Sequence, residues 1–289
     1  MIQRDHETFQ LSDGRILGYA AYGRDKGSPV LFFHGIPGSR LQRTPDLAVF
    51  NALPFCVYAP DRPGIGLSTF QQNRSLLSWT DDMRQFCDYL EISTFSVMGV
   101  SGGAPYALAC ASAMPDRIQQ VSVISGLGPL SDRDLFQSMS HPTRTLFQLA
   151  ARYPWLLARM FMVSRHLLGT RLDLALEKAN IHLSTQDQEL FSRPEIKVML
   201  ETDVAEAFRQ GTRGVVQEIA IHMREWNFDI AEIECPAHLW HGTADRLVPP
   251  IMAEYFRQRL FESQLHWVDQ GGHFMALDYT AAIFEQLLK

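Results

Sequence analysis

The sequence predicts an α/β fold with a mostly parallel central sheet, flanking helices and an inserted helical cap. Short apolar runs rich in β-branched and aromatic residues alternate with helical patterns along most of the chain, as in a parallel sheet with crossover helices. The alternation stops in the middle of the chain and resumes after Cys235-Pro236. We therefore predict a core domain over residues 1–129 and 218–289, and a helical cap over residues 130–217.

The predicted core begins with a hairpin, because apolar residues at 9–11 and 16–22 flank a Ser-Asp-Gly turn. Continuous apolar runs are typical of strands buried on both faces of a sheet. They predict strands at residues 30–33, 55–59, 95–100 and 121–124. Helical spacing predicts a helix over residues 79–90, with Ser78 as its cap, and alanine-rich composition predicts a buried helix over residues 102–114.

The predicted cap and the last part of the chain differ in pattern. Within the cap, helices are predicted at residues 144–151, 155–168, 172–179, 186–190 and 196–209. After it, strand character returns at 238–240 and 265–268, with helices predicted at 251–260 and 275–288. The renewed alternation indicates that the sheet continues beyond the cap.

Composition narrows the classes of protein. The formal charge is −6 and the pI is about 5.9, with Lys and Arg scattered, so nucleic acid is not an expected partner. The first ten residues lack the apolar core of a secretory signal, and no stretch is apolar enough for a transmembrane segment. The four cysteines form no C-x-x-C pair, which predicts free thiols. We expect a cytoplasmic protein.

Residues 99–103 read Gly-Val-Ser-Gly-Gly and match the G-x-S-x-G pattern of a nucleophile elbow. The motif alone is weak, but here it follows an apolar strand and begins a helix. In that setting a strained turn exposes the hydroxyl of Ser101 above the sheet edge. Ser101 is the predicted nucleophile.

A serine hydroxyl needs a base within hydrogen-bond reach, and the base needs an orienting acid. Asp245 and His273 each follow a predicted strand, in the order Ser, Asp, His that this kind of fold uses. We predict Asp245 as the acid and His273 as the base. Asp132 and Asp134 remain alternatives for the acid, because they follow the preceding strand.

With these motifs the chain resembles the α/β-hydrolase superfamily, especially its capped members with an H-G-x-P-G motif. The resemblance depends on His-Gly-Ile-Pro-Gly at 34–38, Asp-Arg-Pro-Gly-Ile-Gly at 61–66, the elbow and the two loops with Asp245 and His273. It implies that the backbone N–H groups of Ile36 and Gly102 form an oxyanion hole.

The resemblance also predicts the activity. Relatives that are haloalkane dehalogenases or epoxide hydrolases carry Asp where Ser101 stands, so the chain is expected to be a serine hydrolase of small, largely apolar carboxylic esters. It is expected to act on a small-molecule substrate as a monomer or homodimer, without a metal or organic cofactor. Hydrolysis of C–C or amide bonds is an alternative, and a non-turnover receptor of the same fold is another.

The predicted cap is rich in aromatic and methionine side chains. Such side chains either line an acyl pocket or fill the core of the cap, and for each of them we expect a place in the core. They are Phe136, Met139, Phe147, Trp155, Met160, Phe161 and Met162. Four arginines of the same region are alternatives for binding a substrate carboxylate. They are Arg144, Arg152, Arg159 and Arg165.

Overall fold

The computed structural model describes residues 1–168 and 183–288. Its centre is an eight-stranded sheet with the strand order β1-β2-β4-β3-β5-β6-β7-β8. The strands are β1 (Ile2–Gln10), β2 (Ile16–Gly23), β3 (Ser28–Phe33), β4 (Phe55–Pro60), β5 (Phe95–Val100), β6 (Ile118–Ile124), β7 (Ala237–Gly242) and β8 (Ser263–Val268). All the predicted strands are present.

The sheet is antiparallel only at its first edge. β1 pairs with β2, and β2 with β4, in antiparallel register, whereas every pair from β4 to β8 is parallel. Six strands therefore end at the same edge, where ligands bind in open α/β sheets. The predicted fold class is confirmed.

Helices cover both faces of the sheet. They are α1 (Ala48–Ala52), α2 (Leu76–Tyr89) and α3 (Ala104–Ala113) in the first part of the chain. The N-cap residue of α2 differs from the prediction: it is Ser75 rather than Ser78. Ser75 Oγ accepts the N–H of Ser78, and Ser78 Oγ accepts the N–H of Ser75. The helix begins one turn early because Leu76 adds a buried apolar contact.

Among the described residues, six α-helices lie between β6 and β7, and we call them the helical segment. They are α4 (Arg133–Ser138), α5 (His141–Arg152), α6 (Pro154–Leu168), α7 (Thr185–Ser192), α8 (Pro194–Ala207) and α9 (Arg213–Ile221). The helix predicted at residues 172–179 lies outside the described residues. The predicted boundary at residue 217 falls inside α9 and does not coincide with the end of a helix. The division of the chain into a core domain and a cap therefore stays a prediction.

Two more helices, α10 (Ile251–Arg259) and α11 (Ala276–Gln286), complete the chain. Alternate residues of each strand face opposite sides of the sheet, so Phe33 and Phe32 belong to different apolar clusters. A third cluster lies between the helical segment and the strand ends. No helix within residues 1–168 and 183–288 has the length and apolar character needed to span a membrane.

Candidate active site

Ser101 occupies a strained turn between β5 and α3. Its φ of 53° lies in the left-handed region, which residues other than glycine rarely adopt. The backbone crosses closely here, since a Cβ on Gly103 would lie 2.2 Å from the carbonyl oxygen of Phe33. The predicted elbow is therefore present in its geometry, with Ser101 at the carboxyl end of the central strands.

The loop of residues 34–38, called the Ile36 loop, lies against this turn. A Cβ on Gly35 would approach the Cβ of Ser101 to 3.4 Å, and a Cβ on Gly102 would lie 2.4 Å from Ile36 Cδ1. The Gly35 N–H donates to Gln42 Oε1 at 2.6 Å. The Ile36-Pro37 peptide is cis. The structure thus brings Ile36 and Gly102 together beside Ser101.

His273 and Asp245 form a buried pair. Nδ1 of His273 lies 2.8 Å from Oδ2 of Asp245. The other carboxylate oxygen of Asp245 accepts the N–H groups of Leu247 and Val248, both at 2.9 Å, which fixes its orientation. Burial lowers the pKa of His273, but the negative charge and hydrogen bond of Asp245 outweigh burial and hold that pKa above the ordinary 6.5.

The alternative acids lie elsewhere. Asp132 is the N-cap of α4, and its side chain accepts the N–H groups of Asp134 and Leu135 at 2.9 and 3.1 Å. Asp134 lies in the first turn of the same helix, where a negative charge is favourable. Of the three candidate carboxylates, Asp245 is the one hydrogen-bonded to His273.

Ser101 and His273 line one cavity of about 270 Å³. Its walls are mainly apolar and come from both the sheet and the helical segment, with Phe32, Met98, Ile124, Phe191, Leu200 and Phe284 among them. Along α11 the lining residues Leu277, Thr280 and Phe284 follow one face over two turns, a depth of about 10 Å at 1.5 Å per residue. The cavity therefore extends from Ser101 into the space between sheet and α11.

The aromatic and methionine residues considered from the sequence are not cavity walls. Phe136, Met139 and Phe147 are buried in the cluster under the helical segment, while Trp155, Met160 and Met162 are exposed. Phe161 packs edge-on against Phe208. The walls from this part of the chain come instead from α7 and α8, because α5 and α6 pack on α9.

None of the arginines considered as a carboxylate clamp is a cavity wall among the described residues; the side chain of Arg165 lies outside them. Arg43, from the loop before α1, does line the cavity. Its guanidinium lies 5.0 Å from the ring centre of Tyr22 and 2.8 Å from Oδ1 of Asp5. The charge of Arg43 is thus already matched by Asp5.

A buried ionic network lies below the Ile36 loop and was not predicted from the sequence. Arg62 donates to the carbonyl oxygens of His34 and Gly35 at 2.7 and 2.9 Å, and to Glu218 of α9 at 2.5 Å. Glu218 also pairs with Arg74. The motif at 61–66 indicated Arg62, but no local pattern indicated Glu218, which is 156 positions away.

Asp203 of α8 is a second missed residue. It is fully buried, and its Oδ1 accepts both the N–H and the hydroxyl of Ser39 at 2.7 Å, next to the Ile36 loop. Burial raises the pKa of Asp203 to about 7, although the hydrogen bonds from Ser39 lower it. His34 and His241 each contact a nearby carbonyl oxygen at 2.9 Å, a contact that braces a turn.

Comparison with known families supplies the classification. The model of the alpha/beta hydrolase fold family matches residues 28–279. The chain belongs to the alpha/beta hydrolase fold family. That assignment agrees with the sheet order, the parallel register and the elbow, and it confirms the resemblance seen in the sequence. No group of three or more His, Cys, Asp or Glu side chains suited to hold a metal ion occurs within the described ranges.

Two curated relatives of this hydrolase-fold chain share about a quarter of the aligned residues with it. It is 27% identical to the uncharacterized hydrolase YcgS of Bacillus subtilis over 115 residues, which is 40% of this chain and 39% of YcgS. It is 24% identical to human protein ABHD8 over 254 residues, 86% of this chain and 52% of ABHD8. The match thus spans about half the length of ABHD8 and less than half the length of YcgS.

Among solved structures, the hydrolase-fold chain is similar to the esterase EaEST from Exiguobacterium antarcticum. The TM-score is 0.72, with 98% of each chain covered and 16% sequence identity. At that identity the likeness shows the fold alone, because one fold hosts many activities.

Proposed function

We propose that this protein is a serine hydrolase that cleaves small, largely apolar carboxylic esters through an acyl-enzyme. The observation that carries the proposal is the arrangement of three side chains. Ser101 stands on a strained elbow, it shares a cavity with His273, and Asp245 accepts the hydrogen bond from His273 Nδ1. A nucleophile, a base and an orienting acid are the groups that acyl transfer requires.

In the proposed reaction, His273 Nε2 takes the hydroxyl proton of Ser101 while Oγ bonds to the ester carbonyl carbon. The resulting imidazolium passes this proton to the leaving alcohol as the C–O bond breaks. Water then attacks the acyl-enzyme, giving a proton to His273, which returns it to Ser101 as the acid leaves. Asp245 holds Nδ1–H in place, so that Nε2 is free to accept.

The backbone N–H groups of Ile36 and Gly102 are the proposed donors to the oxyanion. The close packing of Ile36 on Gly102 supports this assignment, because it holds both residues beside the nucleophile. Arg62 ties the carbonyl oxygens of His34 and Gly35, which limits movement of the loop on which the first donor lies. Fixed donors stabilise developing charge without reorganisation.

The cavity supports an apolar acyl group. Its wall residues are mainly aliphatic and aromatic, and Arg43 is already paired with Asp5. A volume of about 270 Å³ is close to the lower end of typical ligand sites, which suits a small substrate. We propose that α7 and α8 act as the cap over this cavity, since they contribute Phe191, Met199 and Leu200 to its walls.

The same triad would also serve C–C or amide hydrolysis, and a receptor of this fold would bind without turnover. Hydrolysis of short p-nitrophenyl esters, with continuous release of product, is the outcome expected for an esterase. A single burst equal to the protein concentration, or no release, would favour the receptor.

A fluorophosphonate probe tests the proposal directly. The wild type is expected to be labelled once, on Ser101, and Ser101→Ala to lose both labelling and ester turnover. Ser138→Ala is the control, because the Ser138 hydroxyl donates to the carbonyl oxygen of Leu135 within α4, outside the cavity lining, so labelling and turnover should be unchanged. An adduct found by mass spectrometry on any residue other than Ser101 would refute the assignment.

A further inference from the structure

The loop of residues 271–274, called the His273 loop, is bound by α7 as well as by the core. The N–H of Gly272 donates to Gln186 Oε1 at 2.6 Å. The N–H groups of the next two residues, His273 and Phe274, donate to the two carboxylate oxygens of Asp187 at 2.9 and 2.8 Å. Three consecutive amides of the loop are therefore satisfied by side chains of the helical segment.

Asp187 fits tightly against this loop. It is fully buried, and the hydroxyl of Ser184 also donates to it at 2.9 Å. A Cβ on Gly272 would lie 2.2 Å from Asp187 Oδ2, so the close approach requires glycine at that position. A buried carboxylate needs such donors, because its desolvation is otherwise costly.

Capping of α7 does not account for these contacts. Ser184 is the N-cap residue, and its Oγ accepts the N–H of Asp187 at 3.1 Å. In a capping box the acidic residue at this position would bond the backbone N–H of the cap residue. Here both oxygens of Asp187 instead accept amides of a core loop that is 86 and 87 positions away.

We propose that Asp187 is a positioning residue for His273. By holding the backbone N–H groups of His273 and Phe274, it sets the direction in which the imidazole leaves the main chain, while Asp245 sets the rotation of the ring. This inference rests on the proposed function of His273 as the base. It makes correct docking of α7 a condition for catalysis, in addition to its place in the cavity wall.

Charge adds to the geometric effect. His273 is buried, which lowers its pKa, while the carboxylates of Asp245 and Asp187 raise it. His241 also lies at this site, and burial lowers its own pKa. Removing the charge of Asp187 should therefore lower the pKa of His273. The pH below which the base is lost should fall with it.

The test is Asp187→Asn, in which the amide keeps the size of the side chain but replaces one acceptor by a donor. One loop N–H then faces an N–H group. We expect kcat for a p-nitrophenyl ester to fall about 10- to 100-fold with KM nearly unchanged, since a displacement of about 1 Å can cost about 100-fold. NMR titration should show a lower pKa for His273, and the acid limb of kcat/KM should move to lower pH.

Arg193→Ala is the matched control, because it also removes a contact between the helical segment and the core. Arg193 pairs with Asp278 of α11 at 2.6 Å, in a partly exposed contact that includes no residue of the His273 loop. This variant should keep the wild-type kcat and the wild-type pKa of His273. Equal losses in the two variants, or an unchanged kcat and pKa in Asp187→Asn, would overturn the positioning role.

If Asp187→Asn does not fold, as judged by circular dichroism, Gln186→Leu replaces it. This change removes only the acceptor of the Gly272 N–H and should lower kcat about 3- to 10-fold by the same misplacement; an unchanged kcat in this folded variant would contradict the inference. The NMR titration does not depend on turnover. Suppose that the wild type hydrolyses no ester but Asp187→Asn still lowers the pKa of His273. That result would refute the proposed function and would still support the effect of Asp187 on His273.

Discussion

Two parts of the helical segment face the rest of the molecule with opposite chemistry. Helices α7–α9 place three buried carboxylates, Asp187, Asp203 and Glu218, on loops of the core. Helices α5 and α6 pack through apolar side chains on α9 and leave Trp155 and Met160 63% and 51% exposed. The first part is joined to loops of the candidate site by directional bonds. The second packs mainly through apolar side chains, with a hydrogen bond from Thr212 Oγ1 to the carbonyl oxygen of Ala158 in α6.

The difference has a physical basis. A buried carboxylate must meet its donors at hydrogen-bond distance and angle, so it fixes the relative position of the two elements that it joins. Apolar contact is not directional and tolerates small shifts. We therefore expect changes to the three buried carboxylates of α7–α9 to affect the His273 and Ile36 loops, and changes in α5 and α6 to leave the chemistry unaltered.

The largest effect is expected from the core carboxylate that bonds the His273 ring itself. Asp245→Asn should lower kcat about 10⁴-fold, because an amide at this position favours the wrong tautomer of His273. Steady-state ester hydrolysis measures this loss. Near-wild-type turnover, together with a loss in Asp132→Asn, would move the acid to α4. An effect smaller than that of Asp187→Asn would reverse the proposed ranking of core and helical segment.

The next largest effect is on stability. Glu218→Gln leaves Arg62 and Arg74 buried without their shared anion, and breaking a buried ion pair typically costs about 3–5 kcal/mol. Burial would raise the pKa of Glu218, but the two arginines hold it well below 4.5, so this contribution is present above that pH and lost as pH falls. Denaturant unfolding at pH 7 measures it. A loss below about 1 kcal/mol would place this contact with the surface pairs.

A smaller effect is expected across an ester series. One methylene in an apolar pocket changes discrimination by about 1–3 kcal/mol, so kcat/KM for neutral esters should vary gradually with acyl length. Substrates with a terminal carboxylate should be poorer, because Asp5 already pairs with Arg43. Arg43→Ala provides the control. A hundredfold preference for the carboxylate, lost in that variant, would replace the apolar cavity by an arginine clamp.

The smallest effect is expected in the exposed part. Trp155→Ser and Met160→Ser should each change the free energy of unfolding by no more than about 0.5 kcal/mol, since surface substitutions away from special contacts usually do no more. Ester turnover should be unchanged. A large loss of turnover in either variant would show that α6 takes part in the site, and would remove the contrast between the two parts.

The local sequence pattern was sufficient to predict the strands of the sheet and the strained turn at Ser101. Apolar runs of strand length, separated by helical spacing, predicted β3 to β8 in their correct places, and glycines beside Ser101 predicted the strained turn. These features depend on neighbours in the chain, because secondary structure and tight turns are set by local backbone and side-chain sterics. The same locality indicated that Asp245 and His273 follow strands, whose ends meet at one edge.

Tertiary structure alone decided which distant groups meet. Asp187 and His273 are 86 positions apart, and Ser39 and Asp203 are 164 apart. In the sequence, Asp187 was indistinguishable from a helix-capping residue and Asp203 from a residue on a solvated face. Likewise, composition indicated an apolar helical region but not that α7 and α8, rather than α5 and α6, line the cavity. Hydrophobic burial is not directional, so the pattern of a helix shows that it buries a face but not against which partner.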